Sequence, residues 1–426
     1  MYLKPASPQE KIMIERGDYR QIRDMLLAEV SAVETEEAAL EAAAGRVLAQ
    51  EVVAAQDVPA FARSPYDGYA FRAEDVKDAS GEFPVTLRIV DYIPAGEMPH
   101  EKITAGTAAH LMTGAPVPEG ADAVLPFEKT FFTDQTVTIR EPVPHGSNVI
   151  LPGEDVKKGT VLAYAGARID AGLAGVLAGQ GIFRPKVYRS PVVGVISTGT
   201  EILQEGDILK PGKIYNTNRY SLQAACSEAG CRSTYLGTAR DEEKAICEML
   251  LQALESCDAV LLSGGVSVGD FDCTPAAMEA AGVKILARGA ALKPGMAGAY
   301  GIYYRENKKT ENPEAVPVLA LSGNPAACMT AFYAIALPVL KKRMGLREVL
   351  PQALQVRLGK AYQRKNQSDR LLRGRIDLAA SVQEMAVFGK QGNQMLSSLA
   401  GANAFALIPA GSSVPAGEPV EAFLIE

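Results

Sequence analysis

The chain has 426 residues, 47% of them hydrophobic. The hydrophobic fraction excludes a disordered protein. At roughly 100–200 residues per domain, the length predicts about three or four domains. Its net charge of −7 disfavours nucleic acid as a partner, because the phosphate backbone is also negative. The six cysteines lack C-x-x-C spacing. No apolar run approaches the roughly 20 residues of a membrane helix, and the start has no signal-peptide pattern. We therefore expect a cytoplasmic protein without membrane contact.

The first part of the chain is predicted to be helical and then β-rich. Two helices are expected within Asp18–Val53, the second beginning at Thr35, whose hydroxyl can cap a helix and which precedes apolar residues at helical spacing. From Asp57 to about Pro144, short β-rich runs are broken by Pro and Gly, which predicts a small β domain. Helical character returns at Asp170–Ala178.

The middle of the chain alternates apolar runs with helical segments. Buried strands are predicted at Pro191–Ser197, Cys231–Leu236, Ala259–Leu262 and Val316–Leu321, and helices at Arg219–Ala229, Asp241–Glu255 and from Pro325 to about Arg343. This alternation predicts a doubly wound parallel α/β sheet, in which ligands bind at the carboxyl ends of the strands. After Gly345, short strands with Gly and Pro turns predict a second small β domain.

These elements predict a multidomain protein of the α/β-plus-β class. The expected domains are a discontinuous N-terminal helical and linking domain (residues 1–56 and 145–187), an inserted β domain (57–144), a central α/β domain (188–344) and a C-terminal β domain (345–426).

A Gly-rich segment follows the Ala259–Leu262 strand. Gly264 and Gly265, after Ser263, would let backbone N–H groups approach an anion closely. Asp270 and Asp272 follow, and hard carboxylate oxygens suit Mg²⁺ beside a phosphate. The alternative interpretation is an ordinary strand-to-helix turn, and a Walker motif is excluded because the G-K-[ST] ending is absent.

Two further acids follow other strands of the predicted sheet. Glu201 comes after Ser197-Thr198-Gly199-Thr200, and Asp241 comes after the next strand. Considered singly, each is more simply a capping or solvated residue. Together with Asp272, however, they are three acids at three strand ends of one sheet, which favours a shared ligand crevice.

Three polar turns lie in the predicted N-terminal and β domains. They are Ser64-Pro65-Tyr66-Asp67-Gly68-Tyr69-Ala70, the segment that begins Thr113-Gly114-Ala115-Pro116, and Gly153-Glu154-Asp155. Each alone is compatible with a purely structural turn.

Taken in order, these segments resemble the molybdopterin molybdenumtransferase (MoeA) family and the related C-terminal domain of gephyrin. SPYDGYA is similar to the family's S-x-M-D-G-Y-A motif. TGAPVPEGAD, GED, STGTE, KIYNTNR and SGGVSVGDFD then occur in the family's order and spacing. The resemblance extends from about Asp18 to the C terminus.

The resemblance implies a homodimer whose central α/β domain is of the molybdopterin-binding type. The implied reaction inserts molybdate into adenylylated molybdopterin and releases AMP with a divalent cation, expected to be Mg²⁺. The implied partners are these small-molecule substrates, a second copy of the chain and other molybdenum-cofactor assembly proteins.

The same resemblance assigns site residues. The implied catalytic residues are Asp67, Glu201, Asp241, Asp272 and Lys293, of which Glu201, Asp241 and Asp272 would hold the metal. The implied substrate-binding residues are Thr113, Asp155, Ser263, Gly264, Gly265 and Arg373.

Three segments depart from the family's pattern. The family usually has P-G-K-P, P-G-N-P-V-S and G-S where this chain has Pro294-Gly295-Met296-Ala297, Ser322-Gly323-Asn324-Pro325-Ala326-Ala327 and Gly392-Asn393. The missing Lys and Ser side chains are similar to those that hold the oxyanion in the family, whereas Lys293 and Arg373 are present. The choice of oxyanion therefore stays open.

Two alternative functions remain at this stage. One is a diverged paralogue that binds molybdopterin or its nucleotide as a carrier or scaffold, without inserting molybdate. The other is an adenylyltransferase that acts one step earlier, against which the β domains and the SPYDGYA segment argue.

Overall fold

The computed structural model describes residues 13–266, 273–306 and 312–425. Its α-helices are α1 (Tyr19–Glu29), α2 (Ala171–Gly179), α3 (Thr217–Ala229), α4 (Glu243–Ser256), α5 (Thr274–Ala280), α6 (Pro325–Ala331) and α7 (Leu337–Arg343). A π-helical segment, Phe332–Ala336, joins α6 to α7, so the long helix predicted after Pro325 is confirmed.

The β-strands of the described residues are β1 (Ile14–Gly17), β2 (Thr35–Glu37), β3 (Val47–Leu48), β4 (Val52–Val53), β5 (Gly68–Phe71), β6 (Val85–Ile93), β7 (Thr107–Leu111), β8 (Ala123–Pro126), β9 (Phe131–Phe132), β10 (Thr136–Ile139), β11 (Val161–Ala163), β12 (Lys186–Tyr188), β13 (Val192–Thr198), β14 (Ile202–Leu203), β15 (Ile214–Tyr215), β16 (Arg232–Ala239), β17 (Ala259–Ser263), β18 (Lys284–Ala290), β19 (Leu292–Lys293), β20 (Gly298–Arg305), β21 (Glu314–Leu321), β22 (Ala353–Leu358), β23 (Asp369–Ile376), β24 (Glu384–Val387), β25 (Ala404–Ile408) and β26 (Pro419–Leu424).

The chain divides into two compact units. The first contains the described residues up to Gln50, Ala165–Asp170 and the chain from Arg184 onward, and the second contains Glu51–Tyr164 and Ala171–Phe183. The four-domain division expected from the sequence is finer than this and remains a prediction. Within the described residues, none of the helices is both long and apolar enough to cross a membrane.

The first unit is built on a seven-stranded sheet with the order β1-β18-β20-β21-β17-β13-β16. The four strands β16, β13, β17 and β21 are parallel, as predicted. The sheet as a whole is mixed, because β20 runs antiparallel to both of its neighbours. The α/β class and the parallel arrangement of the strands that carry the Gly-rich turns are therefore confirmed.

Two hydrophobic cores cover the two faces of this sheet. Along β17, Leu261 packs into the core that contains side chains of α1, α3, α6 and α7, whereas Val260 and Leu262 pack into the core that contains α4 and α5. Successive strand residues point to opposite faces. A continuous apolar run is thus what a strand buried on both faces requires, and this is why it could be recognised in the sequence.

Helix α3 begins and ends at residues suited to those positions. The side chain of Asn216 accepts a hydrogen bond from the backbone N–H of Arg219 at the start of the helix. Gly230 ends it in the left-handed conformation, with φ 100°. The predicted stop at Gly230 is confirmed.

The helix predicted to begin at Thr35 is wrong. Thr35 lies in β2, which pairs with β12, and β12 also pairs with β3. Between β2 and β3 only a 3₁₀ turn forms, at Leu40–Ala42. The backbone groups of β2 find their partners in a segment far along the chain, and such a long-range pairing overrides local helical spacing.

The remaining sheets form the β-rich parts of the chain. In the second unit, β8-β5-β7-β6-β10-β9 form a six-stranded sheet with a core that includes Tyr69, Phe71 and Leu87. In the first unit, β19-β23-β24-β22-β26-β25 form the C-terminal sheet. Strand β19 (Leu292–Lys293) pairs with β23, and this carries Lys293 to the C-terminal sheet.

Candidate functional site

The carboxyl ends of the parallel strands lie side by side in the first unit. The strand registers place Ser197 beside Ser263, Ser263 beside Leu321, and Thr198 beside Ala239. The predicted Gly-rich and acidic segments follow directly after these residues. They therefore share one edge of the sheet, which is where α/β sheets bind their ligands.

Asp241 and the Thr200–Glu201 turn meet at this edge. The backbone N–H of Thr200 donates to Asp241 Oδ2 at 3.0 Å. The carboxylate of Glu201 folds back over Gly199, since a Cβ at Gly199 would lie 2.6 Å from Glu201 Oε2. Lys213 Nζ donates to the carbonyl of Thr200 at 2.7 Å. The structure thus brings two of the predicted acids to neighbouring strand ends, with a cation beside them.

The glycines after Ser263 allow close packing against Thr198. A Cβ at Gly264 (φ 108°) would lie 2.5 Å from Thr198 Oγ1, and one at Gly265 (φ 62°) would lie 2.4 Å from Thr274 Oγ1. The N–H of Gly264 already donates to the carbonyl of Leu321 at 3.0 Å. Gly264 is therefore required for its small size, and its own amide is not available to an anion.

Asn218 is a polar residue at this edge to which the sequence analysis assigned no role. Its Nδ2 donates to Ser263 Oγ at 2.6 Å and to the carbonyl of Gly323 at 2.9 Å. Because a carbonyl can only accept, Gly323 fixes the orientation of the amide and leaves Asn218 Oδ1 as an acceptor, buried without a partner. Its only signal in the sequence is its place in the Lys213–Arg219 run.

A metal at this edge would rest on Glu201, Asp241 and Asp272. Asp272 lies outside the described residues. Among the residues that are described, no group of three or more His, Cys, Asp or Glu side chains could hold a metal ion. Asp241 uses Oδ2 for Thr200, and Glu201 adds a second carboxylate. Oxygen donors of this kind fit Mg²⁺, which commonly binds through one or two carboxylates and completes its shell with substrate oxygens and water.

Arg373 forms a second polar centre in the same unit. Its side chain is fully buried, with Nε donating to Ser398 Oγ at 2.6 Å and Nη2 donating to the carbonyl of Gly392 at 3.1 Å. Its Nη1 has no partner. Burial, with a further contribution from the charge of Arg370, lowers the pKa of Arg373 to about 10. The guanidinium is thus held by neutral oxygens, an arrangement that favours an added anion.

The three segments that depart from the family pattern meet beside Arg373. The N–H groups of Ala326 and Ala327 donate to the carbonyl of Asn393 at 3.0 and 3.2 Å, and a Cβ at Gly295 would lie 3.2 Å from the carbonyl of Ala327. Met296, next to Gly295, is 39% exposed. These three segments therefore lie together in one small region beside Arg373.

The loop that follows β21 connects the two centres of the first unit. Gly323 accepts from Asn218 at the strand-end edge, and a Cβ on Gly323 would lie 3.5 Å from Gly264 Cα. A few residues later, Ala326 and Ala327 bond to Asn393. The loop after β21 therefore contacts both the acidic edge and the segment beside Arg373.

In the second unit, the structure joins Asp67 to Thr113. Asp67 Oδ1 accepts from the backbone N–H of Thr113 at 2.6 Å and from its hydroxyl at 2.7 Å. The side-chain bond from Thr113, followed by the backbone bond, holds the pKa of Asp67 below its usual value. The carboxylate is thus ionised at neutral pH, with its second oxygen free of these two bonds.

Asp155 occupies a separate turn of the second unit. Its N–H donates to the carbonyl of Val58 at 3.0 Å, and the N–H of Gly153 donates to the carbonyl of Pro59. Gly153 adopts φ 71°, which only a glycine accepts easily. The Asp155 side chain is exposed, and no contact of its carboxylate joins it to the Asp67–Thr113 pair.

The comparisons with known proteins cover nearly the whole chain. Three family models match: the MoeA N-terminal region (domain I and II) over residues 18–181, a probable molybdopterin binding domain over 194–342 and the MoeA C-terminal region (domain IV) over 355–425. The molybdopterin molybdenumtransferase of Staphylococcus epidermidis is 35% identical over 388 residues, which cover 91% of this chain and 90% of that protein. The chain belongs to the MoeA family.

Further MoeA relatives agree with this assignment. The molybdopterin molybdenumtransferase of Staphylococcus aureus is 33% identical over 389 residues, again covering 91% of this chain. A crystal structure of the molybdopterin biosynthesis MoeA protein from Pyrococcus horikoshii OT3 matches with a TM-score of 0.80 and 30% identity, over 96% of this chain and all of that one. The predicted family, its multidomain fold and the class of enzyme are therefore confirmed.

Proposed function

We propose that this chain inserts molybdate into adenylylated molybdopterin and releases AMP. The observation that carries the proposal is the 35% identity to a molybdopterin molybdenumtransferase over 91% of the chain. The geometry supports the proposal in two ways. Carboxylates that could bind a metal lie at the strand-end edge, and the buried Arg373 has an Nη1 donor without a partner, which favours an anion.

Glu201, Asp241 and Asp272 would hold Mg²⁺, and Ser263, Gly264 and Gly265 would contact the pyrophosphate of the substrate. The cation, when bound, supplies positive charge for phosphoanhydride cleavage. The chain itself orients Asp241 through the Thr200 N–H and packs the Gly264 backbone against Thr198, since a side chain at Gly264 would collide with Thr198.

Arg373 binds the oxyanion with the help of Lys293. Arg373 has an unpaired Nη1 and meets only neutral acceptors, and a guanidinium can hold two oxygens with parallel hydrogen bonds. Lys293 is half-buried on β19, where its register partner is Arg370 of β23, the strand that also carries Arg373. Arg373, whose pKa of about 10 keeps it charged at neutral pH, attracts an oxyanion.

In this proposal Asp67 is a catalytic residue, and Thr113 and Asp155 bind substrate. The protein acts in the cytoplasm as a homodimer and exchanges small molecules with other molybdenum-cofactor assembly proteins. Light scattering should give about twice the 45.2 kDa mass of one chain. A monomer throughout the micromolar range would contradict the proposed dimer.

The role of the carboxylates can be tested by Asp241→Asn, which keeps the size of the side chain and removes its charge. We expect AMP release from adenylylated molybdopterin with Mg²⁺ and molybdate to fall at least about tenfold, because metal-held charge stabilisation is lost. Glu243→Gln is the matched control, since Glu243 is an exposed acid in the first turn of α4. Equal rates for Asp241→Asn and the wild type would remove Asp241 from the site.

A further inference from the structure

Asn218, at the start of α3, bonds to the ends of two neighbouring strands. Its Nδ2 donates to the hydroxyl of Ser263, the last residue of β17, at 2.6 Å. The same nitrogen donates to the carbonyl of Gly323, just after β21, at 2.9 Å. Strands β17 and β21 are adjacent in the sheet, where Ser263 is the register partner of Leu321. One amide therefore holds the Gly264 turn and the loop after β21 together.

The orientation of this amide determines how Ser263 takes part in the bond. A carbonyl oxygen can only accept, so the side-chain nitrogen of Asn218 must face Gly323. The same nitrogen faces Ser263 Oγ, which is therefore the acceptor in that contact. A hydroxyl has one proton and two lone pairs. Because Asn218 occupies a lone pair, the Ser263 proton remains available to donate in another direction.

A second neighbour of Ser263 is a weak hydrogen-bonding group. Cys328 is fully buried, and burial raises the pKa of its thiol to about 12, although the hydrogen bond with Ser263 opposes this rise. The thiol is therefore neutral at pH 7, and a neutral sulfur is only a weak donor or acceptor. A charged phosphate oxygen forms a stronger hydrogen bond with a hydroxyl. The Ser263 proton is thus free to bind an anion that arrives at this edge.

The unpaired end of the Asn218 amide indicates more than a structural role. Asn218 is 7% exposed, and its Oδ1 is buried without a partner in the described part of the chain. A buried acceptor without a partner destabilises a fold. Asn216, at the same helix start, instead uses both amide atoms: its Oδ1 accepts from the Arg219 N–H and its Nδ2 donates to Ser197. An amide kept where one end is unsatisfied is typical of a functional residue.

We propose that Asn218 is a positioning residue that directs the Ser263 hydroxyl toward a pyrophosphate oxygen of the substrate. The inference rests on the proposed function, which brings a pyrophosphate to this edge. Without the amide, the Ser263 proton would turn to the Gly323 carbonyl, which would have lost the donor that the two oxygens now share. Asn218 thus acts through Ser263 and does not itself contact the substrate.

A double-mutant cycle tests this role, with ADP as the probe because ADP contains an adenosine attached to a pyrophosphate. Asn218→Leu replaces the amide by a side chain of similar size without donors. In calorimetric titrations with Mg²⁺, we expect it to weaken ADP binding about tenfold, because a hydrogen bond to a charged group is lost. In a Ser263→Ala background, the same change should weaken ADP by less than about twofold.

Two outcomes of the cycle overturn the proposal. Equal losses in the two backgrounds would show that Asn218 does not act through Ser263, and no loss in the first background would show that it does not act on the ligand. Failure of the wild type to bind ADP would instead contradict the proposed function, and this inference with it. Asn218→Ala replaces Asn218→Leu in the cycle if the leucine variant does not fold.

Two further measurements distinguish positioning from folding. Gln223→Leu is the matched control, because the Gln223 amide lies on the same helix and accepts from Arg219 of that helix. We expect it to keep the ADP affinity of the wild type, and a loss as large as that of Asn218→Leu would overturn the proposal. In turnover, Asn218→Leu should raise KM for adenylylated molybdopterin about tenfold and change kcat by less than about twofold, because the bond is made equally in the bound substrate and the transition state. A lower kcat with an unchanged KM would contradict this role.

Discussion

Met296→Lys tests whether the altered pocket beside Arg373 weakens oxyanion binding. Met296 occupies the position at which the MoeA family usually has a lysine, and it adjoins Gly295, which packs against the carbonyl of Ala327. A lysine there would add a full positive charge and up to three hydrogen-bond donors to a pocket that already contains Arg373. We therefore expect the variant to bind molybdate more tightly than the wild type.

The size of the gain follows from the exposure of this position. A hydrogen bond to a charged group contributes about 1.5–3 kcal/mol, which corresponds to roughly 10–150-fold in affinity. Met296 is 39% exposed, so water screens part of the new charge and the lower end of this range applies. We expect an increase of about tenfold in molybdate affinity, with a similar increase for tungstate.

Isothermal titration calorimetry with molybdate and tungstate measures this change directly. Met296→Gln is the matched control, because it lengthens and polarises the side chain without a charge. The competing explanation is that Arg288 already replaces the missing lysine, but its guanidinium bonds to Glu279 at 2.8 Å. If wild type already binds molybdate tightly and Met296→Lys has the affinity of Met296→Gln, another cation compensates and the argument is refuted.

Three other substitutions test the site and the fold. Arg373→Gln should abolish the rise in melting temperature that molybdate gives the wild type, while Arg375→Gln on the same strand retains it; equal shifts would exclude Arg373 as the anion ligand. Thr113→Val should raise the pKa of Asp67 toward the usual aspartate value, because the first cause of its lowering is lost, and an NMR titration that finds no change would contradict the Asp67–Thr113 pair. Asp258→Asn should lower the free energy of unfolding by about 3–5 kcal/mol, as measured by urea denaturation, because it leaves buried arginine charge uncompensated; a loss below about 1 kcal/mol would contradict this.

The pH dependence of stability should follow the same buried carboxylate. Burial alone would raise the pKa of Asp258, but its two hydrogen bonds from Arg189, at 2.5 and 2.6 Å, and the charge of Arg343 hold it below the usual value. A carboxyl whose pKa is lower in the folded state stabilises the fold above its unfolded pKa. This contribution is therefore complete at neutral pH and is lost as the pH falls through the acidic range.

The parts of the fold that could be predicted are those whose signals are local. The strand at Ala259–Ser263 is apolar on both faces because two cores cover it, and Gly230 marks the end of α3 because it adopts a positive φ. The strand at Thr35–Glu37 has exposed polar side chains, so its pairing with Lys186–Tyr188 leaves no apolar pattern. The antiparallel direction of β20 (Gly298–Arg305) likewise depends on which strands flank it.

Some residues of the candidate site could likewise be predicted from the sequence, and others could not. Glu201 and Asp241 could be predicted because each follows a recognisable strand, and the ends of parallel strands share one edge. The position of Asn218 in the site could not be predicted. Its amide is oriented by the carbonyl of Gly323, which lies in a distant segment of the chain. Arg373 was carried over from the family, yet its lack of a charged partner is a property of packing that no local sequence expresses.

Turnover of adenylylated molybdopterin with and without molybdate tests the central proposal most directly. The purified protein with Mg²⁺ should release AMP in a molybdate-dependent manner, and the product should carry molybdenum on its dithiolene sulfurs. Tight binding of the substrate without molybdate-dependent AMP release would contradict molybdate insertion and would instead indicate a carrier of the adenylylated pterin.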